Sequence, residues 1–318
     1  MTAFFLSEGD VRFVADMPLA LAAAEQAFQE LATGHAVNIP RSRASIPGVI
    51  LHSMSAASTG VKILGTKSYT TTKQGAQFLV TLWDAETGKP LCVMEADYLG
   101  QLRTGAASGL SCRLMSNPES QLVGCFGSGL QARTQLQAIC MSRPIERIEV
   151  YSRNSEKCSQ FADEVSQLCD VPTIPVHSPD DAASEKDIVV CATTSKSPVF
   201  QGASLTPGTH LCVVGSNHLS RAEIDLETIR RSDWIACDDL AACQNEAGDF
   251  VAAIEAGCLE WQRVQELGRV LVGEQTGRAH EDDITLFKSV GLAIQDIILG
   301  TQVYIRAREE GLGQPLPF

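Results

Sequence analysis

The stretch GCFGSGLQAR, residues Gly124–Arg133, decides how the second half of this chain folds. Its Gly127-x-Gly129-x-x-Ala132 spacing suits a dinucleotide, another phosphate, or a tight turn without any ligand. The flanking segments separate these alternatives. An apolar run, QLVGCFG, precedes the glycines, a helical pattern over LQARTQLQAICMS follows them, and the apolar segment RIEVYSR comes next. A strand, a glycine turn, a helix and a second strand in this order predict a dinucleotide-binding unit.

The chemistry of such a turn explains its residue types. The first glycine permits the tight backbone turn, the second lets N–H groups approach a pyrophosphate, and a small third residue lets the helix pack closely. The N-terminus of the following helix adds partial positive charge. The residues expected to hold the cofactor here are Gly127, Ser128, Gly129, Leu130 and Gln131.

The end of the second strand predicts which dinucleotide is preferred. Sites that prefer NAD usually offer Asp or Glu to the ribose hydroxyls at this point. This chain instead has Ser152, Arg153 and Asn154. Because a guanidinium can pair with a 2′-phosphate and no carboxylate repels it, NADP(H) is favoured. If Arg153 is only a solvated surface charge, NAD(H) is usable as well.

The rest of the second half continues the alternation. Further apolar segments occur at DIVVCAT, HLCVVGS and DWIACDD, separated by polar segments of helix length. Such alternation predicts an α/β fold, a doubly wound parallel sheet covered by helices on both faces.

The first half of the chain has a different pattern of apolar and polar residues. A helix is predicted over residues 16–32, with Asp16 as its N-cap, and four β-rich segments (VILHSMSA, VKILGTKSY, AQFLVTLWD, KPLCVMEA) predict an antiparallel sheet with a hairpin at DAETGKP. A small-residue helix over 99–115 ends at Ser116-Asn117-Pro118. A long final helix is expected from near Asp283, returning to the first domain and helping to form a dimer. The predicted domains are residues 1–115 with 293–318, and residues 116–292.

Composition excludes several classes of protein. A formal charge of −13 argues against binding to nucleic acid, which depends on Lys and Arg at the phosphates. Acidic residues interrupt the first segment, and no apolar run approaches the roughly 20 residues that span a bilayer, so a cytoplasmic protein without membrane association is expected. The 11 cysteines lack C-x-x-C pairs, which indicates reduced thiols and no metal site.

Eight motifs occur in the same order as in a known family. They are IPRSR (39–43), GTKSYT (65–70), LWDAETGKPL (82–91), QLRTGAAS (101–108), GSGLQA (127–132), CATTS (191–195), VVGSN followed by EID (213–225), and DDITLFKSVGLAIQD (282–296). In these motifs the chain resembles the ornithine cyclodeaminase/mu-crystallin family over nearly its whole length. The resemblance implies a Rossmann-type domain with an NAD(P) cofactor, a split α+β substrate-binding and dimerisation domain, and a homodimer. It adds five residues to the expected cofactor site: Thr193, Thr194, Gly215, Ser216 and Lys288.

The resemblance also implies a cluster of cations, Arg43, Lys67 and Arg103, around the carboxylate of an amino- or imino-acid substrate. Arg pairs a carboxylate through two charge-assisted hydrogen bonds, so such a cluster would give this acidic protein a local anion site. Ordinary surface salt bridges are the alternative for each of the three. Lys62, close by in sequence, is an alternative to Lys67.

One departure from the family bears on the reaction. Its cyclodeaminases use Asp where this chain has Asn217, and an amide cannot exchange protons as an acid or base. The expected activity is therefore hydride transfer at the Cα–N bond of a small α-amino or α-imino acid, as in an imine or ketimine reductase or an amino-acid dehydrogenase, with Lys67, Arg103 and Asn217 as the catalytic candidates.

Two alternatives stay open. One is deaminating cyclisation of a diamino acid to proline or a homologue, with Asp225 or water replacing the missing acid. The other is a non-catalytic binding protein that retains the cofactor fold. Asp225 is interpreted as structural and Asp283 as the cap of the last helix. His52 and His218 receive no role, since either can be an ordinary core or surface residue.

Overall fold

The computed structural model describes residues 2–317. Its contacts divide the chain into two compact units, Met1–Arg103 with Leu292–Phe318, and Thr104–Gly291. The first division falls inside a helix, Asp97–Met115, whose C-terminal end is the predicted domain limit. The limits at 115/116 and 292/293 therefore stay a prediction about where independently folding domains end.

The strands in chain order are β1 (Phe4–Leu6), β2 (Ala36–Ile46), β3 (Val49–Ser58), β4 (Ile63–Thr72), β5 (Gly75–Asp84), β6 (Pro90–Glu95), β7 (Leu122–Phe126), β8 (Arg147–Tyr151), β9 (Thr173–Pro175), β10 (Ile188–Cys191), β11 (His210–Val213), β12 (Trp234–Cys237), β13 (Val264–Glu266), β14 (Thr285–Lys288) and β15 (Gln314–Pro315). The helices are α1 (Glu8–Val14), α2 (Met17–Ala32), α3 (Asp97–Met115), α4 (Leu130–Ser142), α5 (Ser155–Cys169), α6 (Pro179–Ala183), α7 (Leu226–Arg231), α8 (Leu240–Glu246), α9 (Gly248–Glu255), α10 (Leu267–Leu271) and α11 (Ala293–Glu309).

The first unit is built on a seven-stranded sheet in the order β15-β1-β6-β5-β4-β3-β2. Strands β2 to β6 are antiparallel, so the four predicted strands are confirmed; β2, which carries the IPRSR motif, was not predicted. Helix α2 begins as expected, since the Asp16 carboxylate accepts a hydrogen bond from the N–H of Leu19. Helix α11 packs against α2 and against strands β2 to β5.

The final helix starts later than predicted. Residues Thr285–Lys288 form β14, and the helix begins only at Ala293, after Gly291 with a φ of 84°. The prediction of a helix start near Asp283 is wrong because all four side chains of TLFK are buried in a sheet. Asp283 caps no helix there. Its carboxylate accepts hydrogen bonds from the N–H of Ala279 and of His280.

The second unit holds an eight-stranded sheet in the order β13-β12-β14-β11-β10-β7-β8-β9. Every pairing in it is parallel, which confirms the predicted doubly wound α/β fold. Strands β9 and β13, with three residues each, are too short to show a period in the sequence. The strand order reverses between β7 and β10, and ligands of such sheets bind beyond the carboxyl ends of the strands at this reversal. The glycine turn follows β7 at this point.

Membrane-spanning helices are absent from the part of the chain that the structure describes, because none of its helices combines the length and apolarity needed.

Candidate active site

Lys67 lies on the buried face of the first sheet. Along β4 the side chains alternate, and Ile63, Gly65, Lys67 and Tyr69 share the inward face. The directly paired residues Met54 on β3 and Val80 on β5 are apolar. The lysine side chain is only 3% exposed. A lysine is almost never buried to this degree without a partner.

The partner of Lys67 comes from the first turn of α11. Its Nζ donates a hydrogen bond of 2.6 Å to Oδ1 of Asp296, which is fully buried. Arg103 on α3 approaches the same oxygen, with 3.4 Å between Nε and Oδ1. The Arg103 Nη1 also donates to Oε1 of Gln295 at 3.2 Å. The structure thus brings two of the three predicted cations together around one carboxylate.

This environment shifts the acidity of Lys67. Burial and the neighbouring Arg103 guanidinium lower the pKa of Lys67 to about 8, although Asp296 acts in the opposite direction. Gly100, one helical turn before Arg103 on α3, leaves room for the ammonium, because a Cβ there would lie 3.3 Å from Nζ. An amine with a pKa near 8 can exchange a proton close to neutral pH.

Arg43 on β2 is exposed and pairs in register with His52. Burial, with Arg43 and Arg41 close by, lowers the pKa of His52 to about 4, so this imidazole is neutral at physiological pH. Its ring stacks on Tyr69 with centroids 4.2 Å apart. The charge of Arg41 acts on Lys67. Arg41 therefore joins Arg43 as a candidate for the third cation.

Lys62 is not an alternative to Lys67. Its exposed Nζ lies 2.6 Å from Oε1 of Glu86, an ion pair on the surface of the first unit.

In the second unit, the turn after β7 has the geometry that a dinucleotide requires. Gly127 has a φ of 111°, and a Cβ there would lie 2.5 Å from the carbonyl oxygen of Ala192. Gly129 is the N-cap of α4, and no side chain caps this helix, so its first N–H groups are not satisfied by a capping side chain. Ala132 is fully buried, as close helix packing demands. The residues present fit a pyrophosphate group.

A cleft of about 490 Å³ opens beside this turn. The structure brings seven of the predicted cofactor residues together in its lining, namely Gly127, Ser128, Gly129, Ser152, Arg153, Thr193 and Thr194. The Ser128 hydroxyl donates to the Ser152 hydroxyl at 3.0 Å, which ties the glycine turn to the end of β8. The other six do not line the cleft: Gly215 and Ser216 follow β11, Lys288 ends β14, and the remaining three are in or next to helices. Leu130 and Gln131 are exposed in the first turn of α4, and the Asn154 side chain caps α5 through the N–H of Lys157.

Glu223 holds two of the loops that follow parallel strands. Its Oε1 accepts hydrogen bonds from the N–H (2.6 Å) and hydroxyl (2.7 Å) of Thr193, and its Oε2 accepts from the N–H of Gly215 at 2.7 Å. Burial raises the pKa of this carboxyl above its usual range. Glu223 thus links the loop after β10 to the loop after β11.

Lys288 supports the second of these loops, the one after β11. Its fully buried Nζ lies 2.7 Å from Oδ2 of Asp249 and donates to the carbonyl oxygen of Ser216, also at 2.7 Å. Burial opposes its charge, but Asp249 and Glu223 outweigh that effect and raise the pKa of Lys288. With no exposed surface, Lys288 can act on a cofactor only through the loop that it holds.

Asn217 follows this loop and is half-buried, whereas the neighbouring His218 is exposed and its Nδ1 accepts from Ser220. Asp225 is structural, as interpreted from the sequence. Its Oδ1 accepts from the N–H of Thr228 at the start of α7 and its Oδ2 from the N–H of Gly202.

One group of side chains outside these sites could ligate a metal ion. Cys112, His210 and Cys212 are fully buried, and their ligand atoms lie within 4.8 Å of one another. Hydrogen bonds of His210 to the hydroxyls of Ser111 (3.1 Å) and Thr285 (2.8 Å) satisfy both ring nitrogens. The cluster is therefore accounted for as packed core, and all 11 cysteines are free thiols.

Three residues of these sites were not predicted from the sequence: Arg41, Glu223 and Asp296. All three stand inside motifs quoted above. A single acidic residue within the apolar run GLAIQDIILG was the available signal for Asp296, because a lone buried carboxylate needs a cationic partner.

Comparison with known proteins identifies close relatives. A sequence model of the ornithine cyclodeaminase/mu-crystallin family matches residues 1–311. A Delta(1)-pyrroline-2-carboxylate reductase from Bacillus cereus is 33% identical over 273 residues, which covers 83% of this chain and 84% of that protein. The solved structure of the Thermococcus litoralis Delta(1)-pyrroline-2-carboxylate reductase in complex with NADH and L-proline superposes with a TM-score of 0.95 at 32% identity, covering 98% of this chain and all of that one. An archaeal alanine dehydrogenase dimer with bound NAD gives a TM-score of 0.94 at 28% identity, with both chains fully covered.

Proposed function

The chain belongs to the ornithine cyclodeaminase/mu-crystallin family, and from this premise we propose that it is an NAD(P)-dependent oxidoreductase acting at the Cα–N bond of a small α-imino or α-amino acid. The relatives named reductase and dehydrogenase support this reaction class. The observation that carries it is the buried Lys67–Asp296 pair with Arg103 beside it. A cyclic α-imino acid of the pyrroline-2-carboxylate kind is the proposed substrate.

Three cationic side chains divide the work of binding and proton transfer. Arg103, together with Arg43 or Arg41, pairs with the substrate carboxylate and thereby fixes the position of Cα. Lys67, with its pKa near 8, donates the proton that the nitrogen takes up as the C=N bond is reduced. In the reverse direction the neutral Lys67 accepts this proton.

The dinucleotide belongs in the cleft beside the turn after β7. Gly127, whose own N–H donates to the carbonyl oxygen of Tyr151, provides backbone space, and the uncapped N-terminus of α4 at Gly129 provides N–H donors for the phosphates. Ser152 and Arg153 meet the adenosine ribose. When bound, its nicotinamide supplies or accepts the hydride.

We infer that NADP(H) is preferred, with NAD(H) also used. The support is local charge: Ser152 and Arg153 line the cleft at the end of β8, where an NAD-preferring site offers a carboxylate. The relatives above are described with NADH and NAD, so the preference needs its own test. Substituting Arg153→Ala should raise KM for NADPH about tenfold or more while changing KM for NADH less than twofold, because only the 2′-phosphate loses a partner. An equal change for both cofactors would remove the basis of this preference.

Deaminating cyclisation is less well supported. Asn217 cannot titrate, and both carboxylate oxygens of Asp225 accept backbone N–H groups at the start of α7 and at Gly202, so Asp225 is committed elsewhere.

A cytoplasmic location stays a prediction from the sequence.

We further propose a homodimer formed through the outward face of the first sheet. This face exposes apolar side chains on four neighbouring strands: Val37, Ile39, Leu51, Leu64 and Leu79 are each more than two-fifths exposed. An exposed apolar patch of this kind marks an interaction surface. The archaeal alanine dehydrogenase relative is described as a dimer.

A cofactor-coupled panel tests the reaction class. Purified protein is supplied with NADH or NADPH and cyclic or linear α-imino acids, and the loss of reduced nicotinamide absorbance is recorded. Ammonia release from ornithine is measured in parallel. Net oxidation of the cofactor by an imino acid is expected. Ammonia release without net cofactor change would identify a cyclodeaminase, and binding of NADPH without turnover of any compound would identify a binding protein.

A further inference from the structure

Asp296 is a buried carboxylate next to two cations, and the proposed reaction does not by itself require a carboxylate there. Its side chain is fully buried, and Oδ1 contacts both Lys67 (2.6 Å) and Arg103 (3.4 Å). Oδ2 is also buried and has no hydrogen-bond partner among residues 2–317. A carboxylate without exposed surface cannot touch a substrate that enters from solvent. Any effect of Asp296 on the reaction must pass through the two cations.

Burying this group is costly, and a purely structural pair would be replaceable. Buried ion pairs often contribute nothing net compared with apolar residues of similar volume. Elsewhere the inward face of the first sheet is packed with apolar side chains such as Met54, Val80 and Met94. What the carboxylate provides that an apolar residue cannot is a fixed negative charge next to an amine and a guanidinium.

The position of Asp296 makes its charge stable and its orientation fixed. It lies in the first turn of α11, where the partial positive charge of the helix N-terminus favours an anion. The preceding residue, Gln295, is held by its own contacts, since its Oε1 accepts from the N–H of Leu292 (3.3 Å) and from Arg103 (3.2 Å). Gln295 and Asp296 therefore hold the Arg103 guanidinium through two of its nitrogens, Nη1 and Nε.

We propose that Asp296 is a positioning residue that keeps Lys67 in its charged form and aims Lys67 and Arg103 at the substrate. This inference rests on the proposed function, because Lys67 must act as the proton donor for its charge state to affect turnover.

The charges around Lys67 determine the expected direction. Arg103 on α3 and Arg41 on β2 face it and lower its pKa, whereas Asp296 on α11 raises it. His52, on the inward face of β3, is neutral because its pKa is about 4. Removing the charge of Asp296 should therefore lower the pKa of Lys67 below about 8. Because Lys67 must be protonated to donate, proton donation should then be lost at a lower pH than in the wild type.

The test compares wild type with Asp296→Asn, and with Glu86→Gln as the matched control. Glu86 also pairs with a lysine of the first sheet, Lys62, but on the surface. The pH dependence of kcat/KM for imino-acid reduction should fall above pH about 8 in the wild type and in Glu86→Gln. In Asp296→Asn this alkaline limb should move down by about 1–3 pH units, the usual effect of an opposite charge at this range. Asp296→Glu keeps the negative charge, so its alkaline limb should lie between those of Asp296→Asn and the wild type.

A second readout is independent of turnover. Titration of the ¹⁵Nζ resonance of Lys67, assigned by its loss in Lys67→Arg, gives the pKa directly in the folded protein. A downward shift in Asp296→Asn is expected even if no imino acid is reduced, so failure of the proposed function is recognised separately. Suppose that Asp296→Asn folds, and that both the alkaline limb of its pH profile and the titration of the Lys67 Nζ match the wild type. Asp296 is then only structural and the inference is overturned. If the variant does not fold, the titration is made in Asp296→Ser, which also removes the charge, and an unchanged pKa of Lys67 there would overturn the inference equally.

Discussion

Lys67 stands at a position where the alternation of β4 demands an apolar side chain. Its neighbours on the inward face are buried, and its paired residues on β3 and β5 are apolar. A misplaced lysine would cost several kcal/mol of stability. The chain compensates for that cost with the carboxylate of Asp296. The exception to the sheet pattern thus coincides with the proposed chemistry.

Removing the amine should abolish proton donation. Lys67→Met is expected to lower kcat for imino-acid reduction by about 10²–10⁴-fold, the usual contribution of a positioned acid. Steady-state kinetics with saturating cofactor measures this effect. If kcat is near normal and only KM rises, Lys67 is a binding group alone.

Two controls accompany this substitution. Lys62→Met removes an exposed lysine of the same sheet and should change kcat less than about twofold, as expected for a surface ion pair. Lys67→Met removes the nearer of the two cations beside the buried Asp296, which costs up to about 3–5 kcal/mol. The double variant Lys67→Met, Asp296→Asn relieves that charge and should recover thermal stability without recovering activity.

At the scale of elements, the glycine turn was readable from sequence and the start of the last helix was not. The turn after β7 is local, since its glycines, its strand and its helix are contiguous in the chain. Strand β14 depends on distant partners, because TLFK has the same apolar character as the helix that follows and becomes a strand only between β11 and β12. In the same way, Asp296 was quoted within a motif, but its partners Lys67 and Arg103 are far away in sequence and only the fold reveals them.

The two glycines of the turn should respond differently to alanine. Gly127→Ala places a Cβ 2.5 Å from the Ala192 carbonyl oxygen at a φ of 111°, so it should lower the free energy of unfolding by roughly 1–3 kcal/mol. A Cβ on Gly129 meets no atom within 4 Å, so Gly129→Ala should cost only the N-cap preference of Gly over Ala, about 1 kcal/mol or less. Calorimetry measures both effects.

Binding of the cofactor should separate from stability in this pair. Both substitutions should weaken NADPH binding about tenfold or more, since each crowds the backbone that approaches the pyrophosphate. Titration followed by nicotinamide fluorescence measures the dissociation constants. Normal binding by Gly129→Ala would show that α4 does not hold the phosphates.

At the scale of the whole molecule, the outward face of the first sheet predicts association. Replacing Leu64 with Glu puts a charge on the apolar surface defined by Val37, Ile39, Leu51, Leu64 and Leu79. Light scattering should give twice the mass of 34.1 kDa for the wild type and the mass of one chain for Leu64→Glu. A matched exposed leucine of the second unit, Leu168, should tolerate Glu without a change in mass. A monomeric wild type would contradict the homodimer.

We propose that this chain reduces the carbon–nitrogen bond of an imino acid through its bound dinucleotide, and one measurement distinguishes this reaction from the alternatives. The test is a single-turnover reaction of the enzyme with a cyclic α-imino acid and a reduced dinucleotide that carries two deuterons at C4, with the product analysed by mass spectrometry and NMR. We expect one deuterium at Cα of the cyclic amino acid in the wild type, and a rate of product formation lowered about 10²-fold or more in Lys67→Met. A product without deuterium at Cα, or no reduced product under conditions where the dinucleotide is bound, would contradict it.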